Sequence, residues 1–160
     1  MNTYAEIITI LKDKKQTLAT MESCTGGSLA GTITNIPGAS DVFHYGAVTY
    51  ANAFKIKMGV PEETIATYTV YSMETAEAMA KAISEYSDAD YGIGITGKLG
   101  KPDTANPTGS DDMVYMSIYD KEKDSYIHQT FTATSDNREE CKKQIIFLIG
   151  MILLKYIKEK

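Results

Sequence analysis

The feature that most constrains this chain is a hydrophobic period that switches repeatedly between helical and strand-like spacing and ends in a hairpin. Asn2 to Lys14 carries Ile7, Ile8 and Leu11 at helical spacing, and Thr17 to Met21 then reads as a short strand. Gly27 to Ile36 predicts a helix that ends before Pro37-Gly38. Val42 to Tyr50 is rich in strand formers: Val42, Phe43, Tyr45, Val48 and Tyr50. Ser72 suits the N-cap of a helix from Met73 to Tyr86, with Ala76, Met79, Ala80 and Ile83 on one face. Tyr91 to Thr96 is an apolar strand closed by Gly97. Met113 to Tyr119 and Ser125 to Ala133 read as strands joined by the polar turn Asp120 to Asp124, which makes them antiparallel neighbours. Asp136, with Glu139 three residues on, has the form of a capping box opening the last helix. Alternation followed by a hairpin predicts an α/β chain, a three-layer α/β/α sandwich with a mixed sheet.

At 160 residues, without an internal repeat or a Pro/Gly/Ser-rich linker, one domain over 1–160 is expected. One segment stands apart. Gly97 to Asp112 holds two of the four prolines and three glycines, and an unstructured loop of that length is usually functional. Lys and Arg total 16 against 21 Asp and Glu, a net charge of −5, so no basic field exists to hold a phosphate backbone and nucleic acid is not an expected partner. Cys24 and Cys141 lie far apart and His44 and His128 are the only histidines, so neither a disulfide framework nor a metal centre is suggested. The first residues lack the basic and apolar regions of a signal peptide. The most apolar stretch, Ile145 to Leu154, is about half the ~20 residues of a membrane span and is flanked by lysines. A buried C-terminal helix, a cytoplasmic location and no membrane partner are the expectations.

In open α/β sheets, sites form where strands end and the following loops meet. The first such end is Glu22-Ser23-Cys24-Thr25-Gly26-Gly27, a strand running through paired glycines into a helix. That arrangement turns backbone N–H groups outward, where they stabilise an anion or a developing oxyanion, and it displays Ser23 and Cys24 beside them as nucleophile candidates. The plainer alternative is a tight turn with Ser23 or Thr25 as N-cap. A serine needs a base, and with two histidines in the chain a lysine is a reasonable one if burial keeps its amine neutral for part of the time. Lys55 lies past the next strand end; its default reading is a solvated charge, and that of Tyr50 a packed strand aromatic.

Glu22 to Gly27, Pro37-Gly38-Ala39-Ser40, Gly46 to Lys55 and Ile95-Thr96-Gly97 follow one another in a familiar order and spacing. The chain resembles, from about Thr3 to its C-terminus, the C-terminal domain of the competence/damage-inducible protein CinA, the nicotinamide-nucleotide amidohydrolase family. Without the N-terminal molybdopterin-binding-like domain of full-length members, it looks like the stand-alone form. The resemblance implies hydrolysis of the carboxamide of nicotinamide mononucleotide to nicotinate mononucleotide and ammonia, with no cofactor and no metal. It implies Ser23 as nucleophile, Lys55 as general base and Tyr50 as an orienting or relaying group in the same hydrogen-bond network. Backbone N–H groups around Thr25, Gly26 and Gly27 would serve the oxyanion or the substrate phosphate. Cys24 and Asn52 fall in the same motifs, Thr96 and Gly97 would line the pocket, and Arg138 would offer a guanidinium fork to a phosphate.

The chain departs from the family after Ile-Thr-Gly. Where members usually continue Ile-Ala-Gly-Pro and a glycine-rich stretch, this sequence runs from Lys98 to Asp112 with two lysines and three aspartates. Ala51 also replaces the commoner serine after the tyrosine. Two readings follow: an amidohydrolase acting on a small-molecule nucleotide, or a paralogue that binds a nucleotide or a protein partner without turning it over. Cys24 as a thiol nucleophile is a third. A homo-oligomer, dimer or higher, is expected.

Overall fold

All five residues of strand β1 (Leu18–Glu22) are buried, because it lies inside the sheet with both of its faces covered. The structure, a computed structural model, describes residues 2–100 and 111–160. β1 pairs in parallel with β2 (Phe43–Val48) on one side and β3 (Tyr91–Gly97) on the other. β3 pairs antiparallel with β4 (Met113–Asp120), and β4 with β5 (Ser125–Thr132) across the expected polar turn. The order is β2-β1-β3-β4-β5, a mixed sheet with β2 and β5 at its edges.

A parallel region needs cover on both faces. One face carries α1 (Thr3–Lys14), α2 (Ser28–Thr34) and α6 (Arg138–Glu159), with Ile7, Leu11, Leu29, Ile33, Ile149 and Leu153 packed on Ile93 and Ile95. The other carries α5 (Met73–Ser87), whose Met79 and Ile83 meet Ala19 and Met21. These are the three layers. α5 lies directly on the backbone of β3: a Cβ added at Gly94 would stand 2.3 Å from the Ala76 carbonyl oxygen, and one at Gly92 2.0 Å from that of Ala80. No side chain fits there.

Two short helices were not legible in the pattern, α3 (Asn52–Lys57) and α4 (Glu62–Tyr68). The strand expected over Val42 to Tyr50 stops at Val48 for that reason: the chain turns at once into α3. The capping box expected from Asp136 is displaced by one residue. Asn137 is the N-cap, and its side-chain oxygen accepts from the Glu140 amide at 3.0 Å. Most of the loop expected over Gly97 to Asp112 lies outside the described residues. Its two ends are tied by bonds from the Lys98 amide to the Met113 carbonyl and from the Gly100 amide to that of Asp111.

At the opposite end of the sheet from the strand-end loops, a polar cluster joins α6 to β3 and β4. Asp120, fully buried, accepts from the Tyr156 hydroxyl at 2.5 Å and pairs with the Lys160 ammonium at 3.1 Å. Lys160 also reaches the Tyr91 hydroxyl at 3.0 Å and Glu122 at 2.7 Å. Among the described residues, no helix is long and apolar enough to cross a membrane.

Candidate active site

Where β1 ends, the Ser23 amide continues the sheet by donating to the Ile95 carbonyl at 3.0 Å, so the serine is held by backbone pairing. Beyond it the chain must reverse into α2. Gly26 and Gly27 adopt φ of 61° and 100°, a left-handed backbone that side chains oppose and glycine accepts. Glu22, fully buried, organises the turn from below. Its carboxylate accepts from the Thr25 hydroxyl at 2.7 Å, the Leu29 amide at 2.8 Å and the Ala30 amide at 3.0 Å. Sequence reasoning gave Glu22 no role. A lone carboxylate closing an otherwise apolar strand just before a helix start was the available signal.

The same bonds revise one expectation. The first amides of α2 are taken by Glu22, so an external anion must rely on the turn before the helix. There Gly26 donates to the Ser23 carbonyl, whereas the Thr25 and Gly27 amides donate to no acceptor among the described residues. Two further expectations narrow. The Thr25 side chain is buried on Glu22, and Cys24 packs into the core with α6. Burial pushes the Cys24 thiol up to about 12, the nearby Arg138 and Lys55 charges only partly opposing it, so a thiolate is not available at neutral pH. Both side chains thus point into the protein: Cys24 is 4% exposed and Thr25 0%.

The second strand end delivers the lysine. The Thr49 amide donates to the Glu22 carbonyl at 2.8 Å, extending the pairing of β1 and β2 up to α3. Lys55 is the one buried residue of that six-residue helix. Its ammonium stands 3.1 Å from Ser23 Oγ and 2.7 Å from the Thr49 carbonyl oxygen. Ser23 is 8% exposed and Lys55 1%, so the hydroxyl and the amine meet almost without water. The solvated-charge reading of Lys55 does not describe this residue. Asn52, half-buried, opens the same helix one turn earlier.

Tyr50 is placed differently from the expectation. It is 65% exposed, and its hydroxyl accepts from Arg138 Nη2 at 3.4 Å, while Lys55 is held by Ser23 and Thr49. The phenol therefore belongs to the Arg138 arm of the site. Arg138, first residue of α6, also donates from Nη1 to the Leu99 carbonyl at 3.3 Å and so spans the loops after β2 and β3. One turn later Lys142 points at the glycine turn: a Cβ built on Gly26 would lie 3.3 Å from its Nζ. Lys142 was missed, although its i,i+4 spacing from Arg138 was the signal. Thr96 is buried with its hydroxyl donated to the Val70 carbonyl at 2.7 Å, which fixes the segment leading into α5. Gly97 ends β3 beside it.

Chemically, the arrangement offers a hydroxyl in contact with a buried amine, a glycine turn beside them whose Thr25 and Gly27 amides have no acceptor among the described residues, and two cations on α6, Arg138 and Lys142. Among the described residues, no three His, Cys, Asp or Glu side chains gather to hold a metal ion.

The fold and these motifs recur in known proteins. A family model described as the CinA C-terminal domain matches residues 2–155. A CinA-like protein of Thermotoga neapolitana is 32% identical over 155 residues, which is 96% of this chain and 37% of that protein. A CinA-like protein of Desulfovibrio desulfuricans is 50% identical over 97 residues, 60% of this chain and 23% of its own length. The chain thus spans 23% to 37% of the length of these relatives. Among solved structures, the competence/damage inducible protein CihA from Agrobacterium tumefaciens matches with a TM-score of 0.83 at 28% identity, covering 97% of this chain and 96% of that one. A CinA superfamily protein from Klebsiella pneumoniae matches at a TM-score of 0.86 over 100% of both chains, and at 22% identity it speaks for the fold alone.

Proposed function

The chain belongs to the CinA C-terminal domain family, and from that premise we propose that it is a serine–lysine amidohydrolase acting on the carboxamide of nicotinamide mononucleotide or a close relative. The observation that carries this reading is the 3.1 Å contact between Ser23 Oγ and the buried Lys55 amine. Nucleophile and base within hydrogen-bond reach, the base oriented by a third group, is the arrangement covalent catalysis requires. Here the third group is the Thr49 carbonyl.

In the first half-reaction the neutral Lys55 amine takes the Ser23 proton as Oγ attacks the amide carbon. A C–O bond forms, and the carbonyl electrons move onto oxygen, which faces the Thr25 and Gly27 amides. The C–N bond then breaks, Lys55 returns its proton to the leaving nitrogen, and ammonia departs. In the second half a water gives a proton to Lys55 and attacks the acyl ester. The carboxylic acid leaves, and Ser23 recovers its proton. Arg138 and Lys142 bind the phosphate of the nucleotide at the rim.

Purified protein incubated with nicotinamide mononucleotide should release ammonia, and Ser23→Ala should abolish that release while the fold and nucleotide binding persist. Turnover by Ser23→Ala at the wild-type rate would remove the covalent mechanism. No ammonia from the wild type, with the nucleotide still bound, would make this chain a binding paralogue.

A further inference from the structure

Lys98 is a buried cation that the reaction above does not use. It is 3% exposed, its ammonium lies 4.7 Å from the centre of the Tyr71 ring, and Asp111 at 3.5 Å is its ion-pair partner. That distance is at the outer limit of a hydrogen bond, and Asp111 is itself 52% exposed, so an ammonium with three donors receives little return for its desolvation. The pairing of β3 with β4 does not require a charge there, since the Lys98 backbone makes that bond itself.

The lysine also shares a face with the nucleophile. Ala19 and Met21 of β1 face α5, and period two puts Ser23 on that face. Gly92 and Gly94 of β3 meet α5 as well, which puts Thr96 and Lys98 there. Ser23 bonds to Ile95 on the neighbouring strand, so the Ser23 and Lys98 backbones are separated by about one strand spacing sideways and two residues lengthwise, roughly 8 Å.

We propose that Lys98 sets the charge accepted beside the scissile amide: the site discriminates against a cationic ring and favours an uncharged or anionic acyl group. The proposal rests on the Ser23–Lys55 reading, because that pair fixes where the amide sits. Nicotinamide mononucleotide carries a positive pyridinium, and a second fixed cation on the same face repels it. Its reduced form, dihydronicotinamide mononucleotide, has the same carboxamide, ribose and phosphate on an uncharged ring. Asp111, the more solvated partner, offsets the Lys98 field only in part.

The test is the ratio of dissociation constants for the two nucleotides, measured by titration calorimetry on the full chain carrying Ser23→Ala so that nothing turns over. Adding Lys98→Met should move that ratio about tenfold in favour of the oxidised form, the size of a like-charge repulsion across roughly 10 Å at an effective dielectric of about 20. Asp111→Asn should move it the other way, and it serves alone if Lys98→Met does not fold. A ratio unchanged by both substitutions overturns the Lys98 proposal and leaves the Ser23–Lys55 chemistry untouched. Failure of both nucleotides to bind overturns this proposal together with the nucleotide part of the proposed function, whereas failure of the oxidised form alone, relieved by Lys98→Met, bears it out. Loss of ammonia release in Ser23→Ala, measured separately, still reports on the dyad.

Discussion

Two fully buried ionisable residues flank Ser23, and each is satisfied in its own way. Glu22 spends both carboxylate oxygens on three donors of the turn and α2, so its charge is absorbed by structure. Lys55 stands beside the Ser23 hydroxyl and the Thr49 carbonyl, within reach of the proton that the serine must lose. Activity and stability should both respond to a change at this position. Lys55→Met should lower turnover by roughly 10²–10⁴-fold, the usual general-base contribution. It should lower the unfolding free energy by about 1–3 kcal/mol, the cost of leaving the Thr49 carbonyl without its buried donor. Lys55→Arg should be as inactive, because a guanidinium stays protonated. Ammonia release and urea denaturation on the same preparations check both halves, and an active Lys55→Arg would dismiss the amine as base. The family resemblance singled out Ser23, Lys55 and Arg138, and the structure sets the Lys55 ammonium 3.1 Å from Ser23 Oγ. That Cys24 and Thr25 turn their side chains inward was not legible, because a strand-to-helix turn does not reveal which of its residues points at the core.

Among the elements, those with a long repeated period were legible and the short ones were not. α5 and the β4–β5 hairpin follow from residue spacing alone, whereas α4 has no fully buried residue to leave a pattern. α3 buries only a lysine, which reads as a surface residue in any hydrophobicity count. The contact of α5 with β3 was equally hidden, since glycines at alternate positions of a strand suggest weakness before they suggest close approach. Their place in the structure predicts the opposite. Gly94→Ala would set a methyl 2.3 Å from the Ala76 carbonyl oxygen and 2.6 Å from the Ala80 amide nitrogen, backbone atoms that cannot rotate away. It should destabilise the protein by about 3 kcal/mol or more, the upper range for overpacking. It should also shift the Thr96–Val70 contact next to the site. A midpoint of denaturation equal to wild type would show that α5 can slide on the sheet.

Across the whole molecule, the reactive groups gather at one end of the sheet and the Asp120 cluster ties the other. Burial alone would raise the Asp120 carboxyl, but bonds from Tyr156 and Lys160 outweigh it and hold the group below the usual carboxylate range. Burial likewise opposes the charge on Lys160, and bonds to Glu122, Tyr91 and Asp120 raise its pKa above the ordinary lysine value. The carboxylate contribution is thus present above its unfolded value near ~4 and fades as pH falls through the lower folded value. The lysine contribution is complete below about 10 and fades as pH rises through its higher folded value. Asp120→Asn should cost about 3 kcal/mol between those limits, and the gap to wild type should close in acid. Denaturation curves from pH 9 into acid measure it, and a gap that fails to narrow as pH falls below the ordinary carboxylate value near ~4 would contradict the sign. The placement of the two proposed catalytic groups on the sheet has its own consequence for heat and time. Ser23 extends β1, which is paired on both sides, while Lys55 follows β2, an edge strand whose outer side has no neighbouring strand among the described residues. Edge segments open locally at lower free energy than central ones. Amides of β2 and α3 should therefore exchange with deuterium sooner than those of β1, and catalysis should fail on warming several degrees before the sheet melts, the base having swung away while the nucleophile remains in place.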